Sequence, residues 1–284
     1  MRTSEWIQGV FALILAAAAW CSPLPRERRW MVTLFAAVAI ATIAAAHYAS
    51  PPRSALRDWL AVPLFVIPYW QAGRFFLGPN ERIQTWLINT DRRLLKPFRS
   101  APPLSRPLRL ALEYAYLSCY PLVPLGLATL YLAGRRNHVD TFWLLVLVPT
   151  YLCYVITPFF PALPPRSLPT RLINESAATA RIPHPSRSEG SEDQTSPVRT
   201  LNLQVLKYGS IHAISFPSAH VASSIAVALV LLHFTPLAGV GFLIIAIAIG
   251  IAAVAGGYHY AIDVLLGAAV ALVVFVVWLM IPLF

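Results

Sequence analysis

Charge is what this sequence has least of. Of its 284 residues 12% are Asp, Glu, Lys or Arg, while 57% are hydrophobic and the mean hydropathy is +0.63. Soluble globular domains are about one quarter charged. A chain this poor in charge cannot cover a folded surface with polar groups, which excludes a water-soluble domain and leaves a polytopic membrane protein. Acidic residues are scarcer than basic ones, 12 against 22, for a formal net charge of +10. No basic region with interleaved aromatics stands apart from the apolar segments. The Lys and Arg lie mostly between those segments, where they flank spans and meet anionic headgroups, so nucleic acid is excluded as a partner. Cys21, Cys119 and Cys153 have no CxxC spacing and are odd in number, which argues against a disulfide framework and leaves them as small apolar residues. The first apolar run ends in "WCSPLPRERR", without a clear small-x-small cleavage site, and is expected to remain as a helix.

What the chain does have is apolar length. Runs lie at about 6–22, 30–49, 59–77, 108–133, 141–160, 218–234, 237–255 and 259–282, close to the roughly 20 residues that a span requires. They predict an all-α polytopic membrane bundle of about eight apolar segments. The third is interrupted by Pro63 and Pro68 and loaded with Gln71 and Arg74, so a kinked or re-entrant path is expected there. Residues 80–98 mix Ile83, Trp86, Leu87, Leu94 and Leu95 with Arg82, Asp91, Arg92, Arg93 and Lys96, the pattern of an amphipathic helix in the membrane interface. Residues 161–214 form the one long polar stretch. Its centre, rich in Ser, Pro and charge, reads as a mobile loop at about 167–206.

Segment parity brings several chemistry-bearing residues to one face. The segment ending near Phe160 and the one starting near Ser218 meet the same side, and the hairpin of the next two segments returns His259 to it. Arg166, His220, His259 and Asp263 are thereby expected at one depth. His259 and Asp263 are spaced i, i+4 and share a helix face, where the carboxylate can fix the imidazole tautomer and make its other nitrogen nucleophilic. Alone, such a pair is as consistent with a helix cap. His220 follows "FPS"; Ser218 has N-cap character, and a helix start suits a phosphate. His220 is placed to donate a proton to a leaving oxygen. Arg166, held by two prolines, suits bidentate phosphate recognition, with Arg171 and Lys207 as weaker candidates. His184, His212 and His233 read as ordinary interfacial histidines. The set fits phosphoryl transfer without a metal or organic cofactor.

"SFPSAH" (215–220) and "GGYHYAIDVLLG" (256–267) resemble the second and third motifs of the type-2 phosphatidic-acid phosphatase superfamily. "FPALPPR" (160–166) looks like the first motif of its inositol phosphorylceramide synthase branch, and "ALEYAYLSCYPLVPL" (112–126) is similar to the Tyr-rich span of bacterial members of that branch. The likeness covers about residues 80–284, with N-terminal membrane spans over 1–79. It implies a six-helix phosphatase-type core, His259 as nucleophile, Asp263 orienting it, His220 as general acid, and Ser218 and Arg166 binding phosphate. Two departures stand out. Ala219 replaces a glycine of the second motif. Ala252 and Ala253 stand where the phosphatases carry Ser-Arg, which favours the synthase-like branch and leaves Arg171 or Lys207 to supply a second cation.

The expected activity is transfer of a phospho-headgroup from a membrane phospholipid to a lipid alcohol. The alternative is hydrolysis, with water as acceptor and phosphatidate, phosphatidylglycerol phosphate or polyprenyl pyrophosphate as substrate. A transporter or scaffold would place ionisable residues at span centres and show internal repeats, and this sequence does neither. The resemblance implies a site on the extracytoplasmic face of an integral membrane protein of bacterial type. The distribution of Lys and Arg between short segments prefers the reverse orientation.

Overall fold

The computed structural model describes residues 2–51, 54–98, 104–168, 196–211 and 213–281. Twelve α-helices and a few short 3-10 turns make up its regular structure, with no strand among the described residues. Helices α1 (Thr3–Cys21) and α2 (Arg26–Ala49) form an antiparallel hairpin. Arg29 ties its turn, donating from Nε to the Leu24 carbonyl at 2.9 Å and from Nη2 to that of Ser22 at 3.1 Å.

The proline-bearing third segment is broken into α3 (Ala55–Leu64) and α4 (Ile67–Gly73). Pro68 has no N–H for the Leu64 carbonyl, so the helical ladder lapses there. The broken pair still runs from one end of the bundle to the other. Near its start, Arg57 pairs with Glu5 in the first turn of α1 at 2.5 Å. Beyond its end, the Arg74 and Phe76 carbonyls accept from Arg28, at the opposite end of that hairpin, at 3.2 and 2.5 Å. Two buried glutamines fasten it in between: Gln8 Nε2 donates to the Ala61 carbonyl (3.0 Å), and Gln71 Nε2 to those of Ala12 (3.2 Å) and Val32 (3.0 Å).

Helix α5 (Glu81–Leu94) follows, N-capped by Asn80. Helices α6 (Arg106–Leu117) and α7 (Cys119–Leu132) are one apolar stretch bent by 61°. Pro121 explains the bend, because it removes the N–H that the Leu117 carbonyl would accept. The remaining helices are α8 (Val139–Ile156), α9 (Pro197–Gly209), α10 (Ala219–Phe234), α11 (Pro236–Ala255) and α12 (Ala261–Met280). By length and apolarity α1, α2, α8 with its flanking turns, α11 and α12 can each cross a membrane, and α6–α7 makes a sixth span if the bent pair counts as one. The eight apolar segments of the sequence are thus five long spans, one bent pair, one broken pair and the 16-residue α10.

Helix α10 sits at the centre of the bundle. Ala222, Ser223, Ser224, Ala226 and Ala228 are small enough to let α7, α8, α11 and α12 approach it together. Phe142, Trp143 and Leu147 of α8 fill the core beside it. Helix α9 corrects the expectation of an irregular loop up to residue 206. Ser196 accepts the Arg199 N–H at 3.3 Å as N-cap, Pro197 opens the first turn, and Val198, Asn202 and Leu206 form an i, i+4, i+8 face buried against α6. The polar residues around that face hid its period. Arg171, His184 and His212 lie outside the described residues.

At the end of the bundle where α1 begins, Asp58 collects several donors. Arg2 and the Tyr131 hydroxyl both bond its carboxylate, as does Arg136 Nε at 2.9 Å, and the Trp143 indole donates to its carbonyl at 2.9 Å. This joins α1 and α3 to α7, α8 and the turn between them.

Candidate active site

The opposite end of the bundle carries the residues singled out by their chemistry. The chain leaves α8 through a 3-10 turn and the extended stretch Pro161–Pro164, and returns in the loop that opens α10. The two stretches are paired: the Ile214 N–H donates to the Ala162 carbonyl at 2.9 Å. The turn between α11 and α12, residues 256–260, closes over both. Gly257 lies at φ +67°, a conformation open to glycine, and its carbonyl accepts the Arg166 N–H at 2.9 Å. That bond sets the "PPR" loop against the "GGYH" turn.

His259 ends this turn, and Asp263 sits in the first turn of α12. Both are buried, with His259 Nδ1 and Asp263 Oδ2 3.0 Å apart. The carboxylate accepts the Nδ1–H, so Nε2 carries the free lone pair. The ring of His220, in the first turn of α10, has its centroid 5.8 Å from that of His259. The Arg166 guanidinium lies 5.3 Å from the centre of the ring of Tyr258, the residue before His259. Helices α10 and α12 meet at their starts. The Ser218 N–H donates to the Asp263 carbonyl at 3.0 Å, and Gly267 allows the approach, since a Cβ there would lie 2.4 Å from the Ser218 carbonyl oxygen.

The structure therefore brings His220, His259, Asp263 and Arg166 together, as segment parity predicts. Ser218 is in the same place but wholly buried, with its Oγ accepting the Val221 N–H at 3.4 Å. The Ala219 N–H is likewise taken, by Ser215 Oγ at 3.3 Å. These hydroxyls cap α10 and thereby set the direction of His220. Lys207 is exposed on α9, its ammonium 5.2 Å from the centre of the neighbouring Tyr208 ring. Ala252 and Ala253 are buried against Tyr116, Tyr258 and Leu206, so tyrosine packing occupies their surroundings.

Three groups of residues around the site were not read from the sequence. Tyr69, Tyr116 and Tyr120 place their rings 6.4, 6.3 and 6.1 Å from that of His220. Glu113 accepts from the Tyr258 hydroxyl at 2.7 Å, from Arg199 at 2.5 Å and from Asn202 at 2.7 Å, while Tyr258 stacks on Tyr116 at 3.8 Å. A lone carboxylate within the apolar run 108–133 was the available signal. On α5, Gln84, Leu87 and Asp91 face inward at i, i+3, i+7. Asp91 Oδ1 accepts the Ala261 N–H at 2.6 Å. Burial first, and then the charge of Asp263, push the Asp91 carboxyl up to about 6, against the pull of that hydrogen bond. The amphipathic helix expected at 80–98 is therefore present, with part of its polar face turned into the protein.

Among the described residues no three His, Cys, Asp or Glu side chains are grouped so as to hold a metal ion. No curated protein and no solved structure matches the chain. The model of one protein family, the PAP2 superfamily, matches residues 83–277, well over half of the chain and all the residues of the His–His–Asp–Arg constellation. The protein belongs to the PAP2 superfamily, a superfamily of phosphatase- and phosphotransferase-type lipid enzymes, and it is an integral membrane protein.

Proposed function

We propose that the protein is a lipid phosphotransferase of the inositol phosphorylceramide synthase type, working through a phosphohistidine on the extracytoplasmic face of the membrane. The observation that carries this reading is the Asp263–His259–His220 group, with a 3.0 Å hydrogen bond between Asp263 and His259 and the His220 ring centroid 5.8 Å from that of His259.

The His259 Nε2 lone pair attacks the phosphorus of a membrane phospholipid. The P–N bond forms as the P–O bond to the diacylglycerol oxygen breaks, and protonated His220 gives that oxygen its proton. Asp263 stabilises the positive charge that develops on the His259 ring, and Arg166 holds the non-bridging phosphate oxygens. Neutral His220 then removes the proton from a lipid hydroxyl. The resulting oxygen attacks phosphorus, the P–N bond breaks, and both histidines return to their starting states. Water in place of the alcohol gives hydrolysis. Among the described residues, Arg166 is held beside the histidine turn by its N–H bond to the Gly257 carbonyl at 2.9 Å. With Ala252 and Ala253 in the place of Ser-Arg, the cations that the described residues supply suit a phosphodiester donor of single charge better than a monoester dianion, which favours transfer.

The test is a product assay by mass spectrometry. Purified protein and His259→Ala are given phosphatidylinositol, phosphatidate, phosphatidylglycerol phosphate or polyprenyl pyrophosphate, with and without ceramide or diacylglycerol. The expected result is a headgroup-bearing product that needs both acceptor and His259. Phosphate released from the monoesters establishes the phosphatase instead, and no His259-dependent product overturns both.

A further inference from the structure

Helix α12 carries Asp263 and follows directly on His259, yet it lacks a cap of its own. Its N-cap residue is Tyr260, whose side chain makes no capping hydrogen bond. A tyrosine is too long and rigid to reach back to the amides of the first turn, which Ser, Asp or Asn ordinarily satisfy. The first amide of the helix, that of Ala261, is nevertheless bonded. Its acceptor is Asp91 Oδ1 at 2.6 Å, reached from α5, 170 residues earlier in the chain. A carboxylate here also faces the positive end of the helix dipole.

The same helix holds the residue before Ala261 and the opposite wall of the site. Gln84, two turns upstream of Asp91 on the buried face, donates from Nε2 to the Tyr260 hydroxyl at 2.5 Å and accepts the Leu163 N–H on Oε1 at 2.8 Å. The Tyr260 hydroxyl in turn donates to the Leu163 carbonyl at 3.1 Å. Leu163 begins "LPPR", so one face of α5 fixes both the loop that ends in Arg166 and the turn that carries His259. Asp91 is 7% exposed and Gln84 6%, which shields these bonds from competing water.

We infer that Asp91 is a positioning residue of the active site: as a cap supplied from another helix of the same chain, it fixes the first turn of α12 and so the placement of His259 against Asp263. Gln84 supports the same geometry from the side of Arg166. The consequence for turnover rests on the phosphohistidine reading above; the structural role does not. Displacing a reacting group by about 1 Å costs on the order of 100-fold in rate, and freeing the start of α12 is a displacement of that kind.

The experiment compares the full-length protein with Asp91→Ala and Asp91→Asn in detergent or nanodiscs, by three readouts. Hydrogen exchange across residues 259–264 is expected to quicken in Asp91→Ala and return toward the wild-type rate in Asp91→Asn, whose Oδ1 can still accept. In the lipid transfer assay, kcat is expected to fall roughly 10- to 100-fold in Asp91→Ala with KM unchanged, and to recover to within about threefold in Asp91→Asn. The number of phosphorylatable His259 sites per chain is expected to stay constant across the three proteins. Wild-type exchange and kcat in Asp91→Ala overturn the inference. So does a loss of kcat matched by an equal loss of phosphorylatable sites, which marks misfolding, or a failure of Asp91→Asn to recover in any readout. A wild-type protein that transfers no headgroup overturns the functional reading, and the exchange measurement still decides whether Asp91 holds α12.

Discussion

The two ends of this bundle both bury charge, and they differ in how completely they bond it. At the end where α1 begins, Glu5 grips Arg57 with two hydrogen bonds of 2.6 and 2.5 Å, and Asp58 is held by Arg2, Tyr131 and Arg136. At the other end, His220 Nδ1 and Asp263 Oδ1 are buried with no partner, and no carboxylate among the described residues pairs with Arg166. A buried polar atom without a partner costs about 1–3 kcal/mol. The first end saturates its charges and binds the N-terminal helices to those that carry the site. The second leaves these atoms unbonded, next to the histidines of the proposed mechanism. On the proposed mechanism, residue types that serve stability where their bonds are complete are available for chemistry where they are not.

Variants can separate the two. His259→Ala has the largest expected effect on activity, a loss of about 10³-fold or more, with a smaller drop in thermal unfolding midpoint than Asp58→Ala, since it takes one partner from Asp263 where Asp58→Ala takes the carboxylate from Arg2, Tyr131 and Arg136. A midpoint lowered as far as in the far-end variants would erase the contrast. Gly267→Ala comes next. Its Cβ would press on the Ser218 carbonyl oxygen at 2.4 Å and wedge apart the starts of α10 and α12. A destabilisation of about 1–3 kcal/mol is expected, with a fall in kcat of about 10-fold, read by unfolding and lipid assay on one preparation. Asp58→Ala is expected to do the reverse of His259→Ala. It leaves Arg2 and Arg136 without that carboxylate and costs about 3–5 kcal/mol of stability, while kcat per folded molecule is unchanged. Reduced kcat in the folded fraction would show that the two ends are coupled. Lys207→Ala has the smallest expected effect. An exposed lysine with its ammonium over the Tyr208 ring should alter kcat by less than about twofold and stability by no more than about 0.5 kcal/mol.

Much of the site could be read from local pattern. The i, i+4 spacing of His259 and Asp263, the apolar segments and their parity were enough to place Arg166, His220, His259 and Asp263 at one end of a helical bundle. Pro63 and Pro68 announced the break in the third segment because a missing N–H acts on the residue's own helix. What escaped was less local. Helix α9 was hidden because its buried face includes Asn202, which looks like a loop residue until Glu113 of α6 is there to receive it at 2.7 Å. Ser218 fits a phosphate by its place at a helix start, which can serve either a cap or an anion, and the structure adds that its hydroxyl accepts the Val221 N–H at 3.4 Å. Lys207, close in sequence to the "SFPSAH" motif, is exposed on α9 with its ammonium over the Tyr208 ring.

By itself, then, the sequence determined the quantities that depend on neighbours along the chain: an apolar composition that demands a membrane, helical periods, proline breaks, and a histidine and carboxylate one helical turn apart. Only the tertiary structure decided which polar side chains complete one another. Asp91 meets Ala261 across 170 residues, and Tyr258 meets Glu113 across 145. Such bonds leave no period in the sequence, because their partners are chosen by how the helices pack and by the cost of burying a donor or acceptor alone.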